Sequence, residues 1–190
     1  MLVIVALLLS AAFGAVDQYL GSLPGAHLWA AQVPWVTEVS LLSAPWLLLP
    51  FLAGATQREP KRAALLGVAC TMSALAGYVL MTLSPVENAE LTVTSVEGYI
   101  RSSDRVIVGG LVTGPLFGWL GYRWRAEGAW LGALLVAAAF CLEPLARTAA
   151  GHGQEIRFTT VWAAEVAIGL ALAAYVAVTA RRQGAQRLAE

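Results

Sequence analysis

The chain has 190 residues, 58% of them hydrophobic and only 13% charged. Soluble domains carry about 25% charged residues, so half that share over a whole chain excludes an ordinary soluble fold and points to a polytopic membrane protein. The formal net charge is zero, which argues against nucleic acid as a partner.

A bilayer span takes about 20 mainly apolar residues. Six segments meet that length, and the expectation is one all-α domain over residues 1–190, a bundle of six transmembrane helices. The first, about 1–20, begins MLVIVALLLSAAFGA. It resembles a signal-peptide core but lacks a basic leader, so it reads as a retained helix, with Asp17 near its end. The second, about 34–55, contains VPWVTEVSLLSAPWLLLP, an apolar run interrupted by one acid, Glu38, and by Pro45. The basic break QREPKR precedes the third span, about 62–84, which carries Tyr78.

The polar connection ENAELTVTSVEGYIRSSD (87–104) leads to the fourth span, about 104–122. Gly110, Gly114 and Gly118 form a stripe there that lets a neighbouring helix approach closely, either within the bundle or in a homo-oligomer. Pro115 in the same helix frees a backbone carbonyl. The fifth span, about 127–146, carries Glu143, and the sixth, about 158–180, carries Glu165.

Basic residues orient the bundle. The breaks after spans two and four and the tail hold Arg58, Lys61, Arg62, Arg123, Arg125, Arg181, Arg182 and Arg187, against Arg101, Arg105, Arg147 and Arg157 on the other side. The richer side is cytoplasmic by the positive-inside rule. Both termini are then cytoplasmic, as expected of a protein of the bacterial inner membrane.

In that topology Asp17, Glu38, Glu143 and Glu165 share the outer half of the membrane, with Tyr78, Asp104 and Arg105 at similar depth. Glu165 lies seven residues into its helix, roughly 10 Å deep at 1.5 Å per residue. An intramembrane charge costs roughly 2.5–3.5 kcal/mol at mid-bilayer and less near an interface. Asp17 and Glu143 can reach headgroups, and Arg147 is one turn from Glu143, so an interfacial or paired role competes with function at those two. Glu38 and Glu165 are the stronger functional candidates, with interhelical hydrogen bonding as their structural alternative. A carboxyl removed from water favours its protonated form, which is what a proton donor needs.

Among the seven tryptophans, Trp29, Trp124 and Trp130 fit an interfacial belt. Trp35 and Trp162 each precede a buried glutamate by three residues and so share a helix face with it, although the belt competes there too. Trp46, Phe117 and Tyr78 complete the candidate aromatic lining, with Asp17 and Glu143 as polar lining. Cys70 and Cys141 fall in different apolar runs and read as free thiols. No phosphate loop, nucleophile elbow, HExxH or paired histidines appears, so no metal and no cofactor are expected. Lys61, the only lysine, lies at a cytoplasmic edge, which excludes a retinal Schiff base.

Lone acids on the second and last helices, with aromatics beside them, resemble the integral-membrane terpene cyclases of meroterpenoid and indole-terpenoid pathways. The chain departs from the usual fungal pattern in having six expected helices instead of seven, and glutamate instead of aspartate on the last. The resemblance implies metal-free protonation and cyclisation of a lipophilic prenylated substrate drawn from the bilayer, an isomerase or lyase type of reaction. It places the catalytic role on Glu38 and Glu165. The chemistry is coherent, because aromatic faces stabilise a carbocation without attacking it. The competing readings are a small proton-coupled transporter, using the same acids as a relay, and a non-catalytic binding or scaffold subunit.

Overall fold

The computed structural model describes residues 2–26, 35–152, 156 and 159–189; His27, Trp29 and Arg157 lie outside them. It contains α1 (Leu2–Ala26), α2 (Trp35–Val39), α3 (Ala44–Ala55), α4 (Pro60–Thr82), α5 (Val93–Ser102), α6 (Asp104–Glu127), α7 (Leu131–Ala149) and α8 (Thr159–Ala189). No strand occurs among the described residues. Leu2–Ser22, Pro60–Thr82, Leu131–Ala149 and Thr159–Arg181 are each long and apolar enough to cross a membrane. Their outward faces are apolar as well: Leu2, Ile4, Leu8 and Leu9 of α1 and Leu170 of α8 are exposed, which suits lipid and not water. The chain is therefore an all-helical protein with the features of a membrane protein.

The other two expected spans differ from that simple pattern. α6 carries its charged residues at its ends and a stretch rich in glycine and aromatics between them. The segment 34–55 is not one helix. It breaks after Val39, turns through residues 40–43 and restarts as the 12-residue α3. Proline explains the break: Pro45 has no N–H, and in a continuous helix its ring would collide with the carbonyl four residues earlier, that of Leu41. At the first turn of a new helix the same proline is well placed. The connection 87–104 likewise holds more than a loop, because Thr92 caps α5 by accepting the Ser95 backbone N–H at 3.1 Å.

α4 sits at the centre, packed against α1, α3 and α6, while α7 joins α6 and α3 to α8. Small residues make these contacts close. A Cβ at Gly14 would fall on the backbone of Ala74, and one at Gly77 on the backbone of Ala11, which locks α1 to α4. Gly67 of α4 faces the backbone of Gly114 and Gly118, and Gly54 of α3 faces Gly118. A Cβ at Gly110 would lie 2.9 Å from Thr71 Cγ2 of α4. The Gly110, Gly114 and Gly118 stripe thus packs within the chain against α4 and α3.

Phe117 belongs to the core, packed with Ala44, Phe51, Leu120, Val136, Phe140 and Val176 from four helices. A second small cluster joins Ala53, Leu66 and Cys70 to α1. Cys70 and Cys141 are both free thiols, on α4 and α7.

Candidate functional site

The turn at residues 40–43 separates two polar regions. On one side lies a cavity of about 580 Å³ bounded by α1, the turn, α3, α4, α5 and α6. Asp17 and Gln18 come from α1, Ser40 and Ser43 from the turn, Trp46 and Leu47 from α3, Thr71, Leu75, Tyr78 and Thr82 from α4, Tyr99 from α5, and Val106, Gly110 and Thr113 from α6. Asp17 is the only charged side chain in this lining among the described residues.

Aromatic rings run through the cavity as a connected row. Phe13 meets Trp46 edge-on with centroids 5.4 Å apart, Trp46 meets Tyr78 at 6.1 Å, and Tyr78 meets Tyr99 at 6.4 Å. These separations are those of interacting ring pairs. Asp17 and Trp46 line the same cavity, and the Trp46 side chain is an electrostatic neighbour of the acid. Asp17 and Glu87 both act electrostatically on Tyr78. Oε1 of Glu87 is buried with no hydrogen-bond partner among the described residues.

On the other side of the turn, Glu143 of α7 closes the broken helix. Its carboxylate accepts the backbone N–H groups of Ser43 and Ala44, both at 2.7 Å, and so caps α3 from another helix. Arg147, one turn along α7, donates from Nε to Glu143 at 2.8 Å and from Nη2 to the Ser43 hydroxyl at 3.1 Å. Nη2 also donates to the carbonyl of Leu41, the group that Pro45 leaves without a helical donor. The interfacial or paired role weighed for Glu143 is thus a defined structural one.

Glu165 of α8 is 1% exposed, and neither of its oxygens has a hydrogen-bond partner among the described residues. It lies beside the Glu143–Arg147 pair and interacts with both. Glu38 is buried in α2 and does not line the cavity. Trp35 is half exposed, and Trp162 packs on Leu42, Ile156 and Val161 behind the turn.

Of the candidates drawn from the sequence, the cavity therefore brings together Asp17, Trp46 and Tyr78. Glu143 and Glu165 meet on the far side of the turn. Glu38, Trp35, Trp162 and Phe117 lie elsewhere. Tyr99 and the hydroxyls of Ser40, Ser43, Thr71 and Thr113 were not singled out, and only the topology gathers them. No family model, curated protein or solved structure matches this chain.

The arrangement can bind. A cavity of a few hundred cubic ångströms, mostly apolar with a few convergent polar groups, has the character of a small-molecule site. Its lining offers one carboxylate, several hydroxyls and three ring faces above an apolar floor of Leu42, Leu47, Met72, Leu75 and Val106.

Proposed function

We propose that this chain is an integral-membrane protein of six spans, with both termini cytoplasmic, that binds a small lipophilic organic molecule in the Asp17 cavity. One observation carries the reading: a cavity of about 580 Å³ that carries a carboxylate is lined by the ring row Trp46, Tyr78 and Tyr99. The discontinuous helix 35–55 supports it, since broken spans with irregular backbone beside a cavity recur where membrane proteins bind small molecules. Recognition is the primary role in this reading, whether the chain acts alone or serves as the binding subunit of a larger assembly.

Filling the cavity tests this directly. Leu75→Trp adds bulk at a lining position, half-buried on α4. The purified protein is screened by thermal shift against lipophilic small molecules, and any ligand found is titrated into the variant. Binding is expected to weaken at least tenfold, a loss of about 1.4 kcal/mol, with the variant's elution profile unchanged. Equal affinity in the filled variant would place the ligand elsewhere and defeat the proposal.

The orientation has its own test. Thr94 is exposed on α5, so Thr94→Cys is expected to react with an impermeant thiol reagent on intact cells. Labelling only after permeabilisation would invert the topology and turn the cavity toward the cytoplasm.

Terpene cyclisation is the second reading, favoured by the rings that stand directly beside an acid. In that reading Asp17 is the acid of the cavity, since neither Glu38 nor Glu165 lines it. Incubation of the same purified protein with prenylated candidates, followed by mass spectrometry, separates the two: an isomerised product lost in Asp17→Asn marks a cyclase, and binding without conversion marks recognition alone.

A further inference from the structure

The charge and ring geometry of the cavity identify the chemistry of what it holds. Among the described lining residues Asp17 is the one charged side chain, an acid, and a second carboxyl group, Glu87, acts electrostatically on Tyr78 of the lining. No basic side chain lines the cavity among the described residues. Arg147 reaches the turn from the opposite side and is bound there to Glu143, Ser43 and Leu41. Arg101 pairs with Glu97 at 2.6 Å on the exposed face of α5.

Trp46, Tyr78 and Tyr99 come from three different helices and succeed one another at centroid separations of 6.1 and 6.4 Å. Ring faces carry negative electrostatic potential and attract an ammonium group placed over them, the more so away from water. The Asp17 carboxylate shares the lining with the same three rings. A neutral apolar guest would leave that carboxylate without a counter-charge. A cation supplies one.

We infer that the ligand of this cavity carries an organic cation, a quaternary or protonated ammonium group, seated between the Asp17 carboxylate and the rings of Trp46, Tyr78 and Tyr99, with its apolar remainder on the Leu47, Met72 and Leu75 floor. This rests on the small-molecule reading of the same cavity. The three rings supply the selectivity for a bulky, weakly hydrated ammonium over a small, strongly hydrated metal ion, for which the described lining presents a single carboxylate. The hydroxyls of Ser40, Ser43, Thr71 and Thr113 serve polar substituents on the ligand.

The test compares two probes that differ in charge alone: a phenylalkyl trimethylammonium ion and its uncharged tert-butyl isostere, in which carbon replaces nitrogen. Each is titrated calorimetrically into the purified full-length chain in lipid nanodiscs. The fixed charge of the probe keeps its own state independent of pH. The cation is expected to bind at least tenfold more tightly than the isostere. Asp17→Asn, which removes the charge at nearly constant size, is expected to remove most of that preference. Tyr99→Leu, on the outlying α5, is expected to weaken the cation several-fold and to fold even if the Asp17 variant does not. Equal or tighter binding of the isostere overturns the cation assignment and leaves the small-molecule reading standing. Retention of the full preference in both variants also overturns it. Failure of both probes overturns it as well, and the thermal-shift screen with Leu75→Trp then decides the fate of the broader reading independently.

Discussion

Glu143→Ala is expected to be the most damaging single substitution of an acid in this chain. It uncaps two backbone N–H groups at the start of α3 and strands Arg147, whose side chain is 19% exposed. Removing one partner of a buried pair costs about 3–5 kcal/mol, chiefly because the other charge stays behind uncompensated. For a chain of this size that is a fall in melting temperature of about 10 °C or more, measured by fluorescence-detected thermal unfolding in detergent. Glu165→Met is the control. It removes a buried carboxyl that has no hydrogen bond among the described residues, so stability should hold or rise. Equal losses in the two variants would refute the clamp.

The second large effect lies at Gly67. Any side chain there runs into the backbone of Gly114 and Gly118, so the helices must part instead of a rotamer giving way. Overpacking of a tight core costs about 1–3 kcal/mol and occasionally more, and Gly67→Val should fall at the upper end or fail to accumulate. Gly110→Ala meets only the flexible ends of Thr71 and Met72, at 2.9 and 3.1 Å, and should be milder. Gly98→Ala in α5 meets nothing within 4 Å and should stabilise by up to about 1 kcal/mol, the helix preference of alanine over glycine. A series in any other order would contradict the backbone-contact picture.

The helices themselves were legible because apolar length alone marks a span. The expected 62–84, 127–146 and 158–180 correspond to α4, α7 and the long apolar part of α8 within a few residues. The break in the second span had a local sign, Ser43 two residues before Pro45, the pattern of a helix start. The uninterrupted apolar run around it read more strongly as continuity. What no local pattern could show is the partner: Glu143 caps α3 from a hundred residues away. For the same reason the acids separate in space. Depth in the membrane follows from counting along a helix, and Asp17 and Glu165 do share a layer by that count. Which of them faces the cavity depends on how each helix is rotated, and that is set by the glycine contacts between helices. Tyr99 escaped notice because α5 lies in a stretch whose polarity reads as a loop.

The glycine contacts also determine how the cavity meets its guest. Its walls are α1, α3, α4 and α6, and each approaches a neighbour through glycine contacts in which main chain meets main chain, as at Gly14, Gly77, Gly54 and Gly67. At those points the helices cannot part by a change of rotamer. The backbone outline of the cavity is thus held in place, and occupying it demands little reordering of the main chain. The same stiffness makes it a gauge: guests are sorted by girth, and one that exceeds the space cannot be accommodated by a partial yielding of the frame. Adaptability is left to what that frame does not hold: the lining side chains such as Met72 and Leu75, the 40–43 turn and the α5 ring of Tyr99.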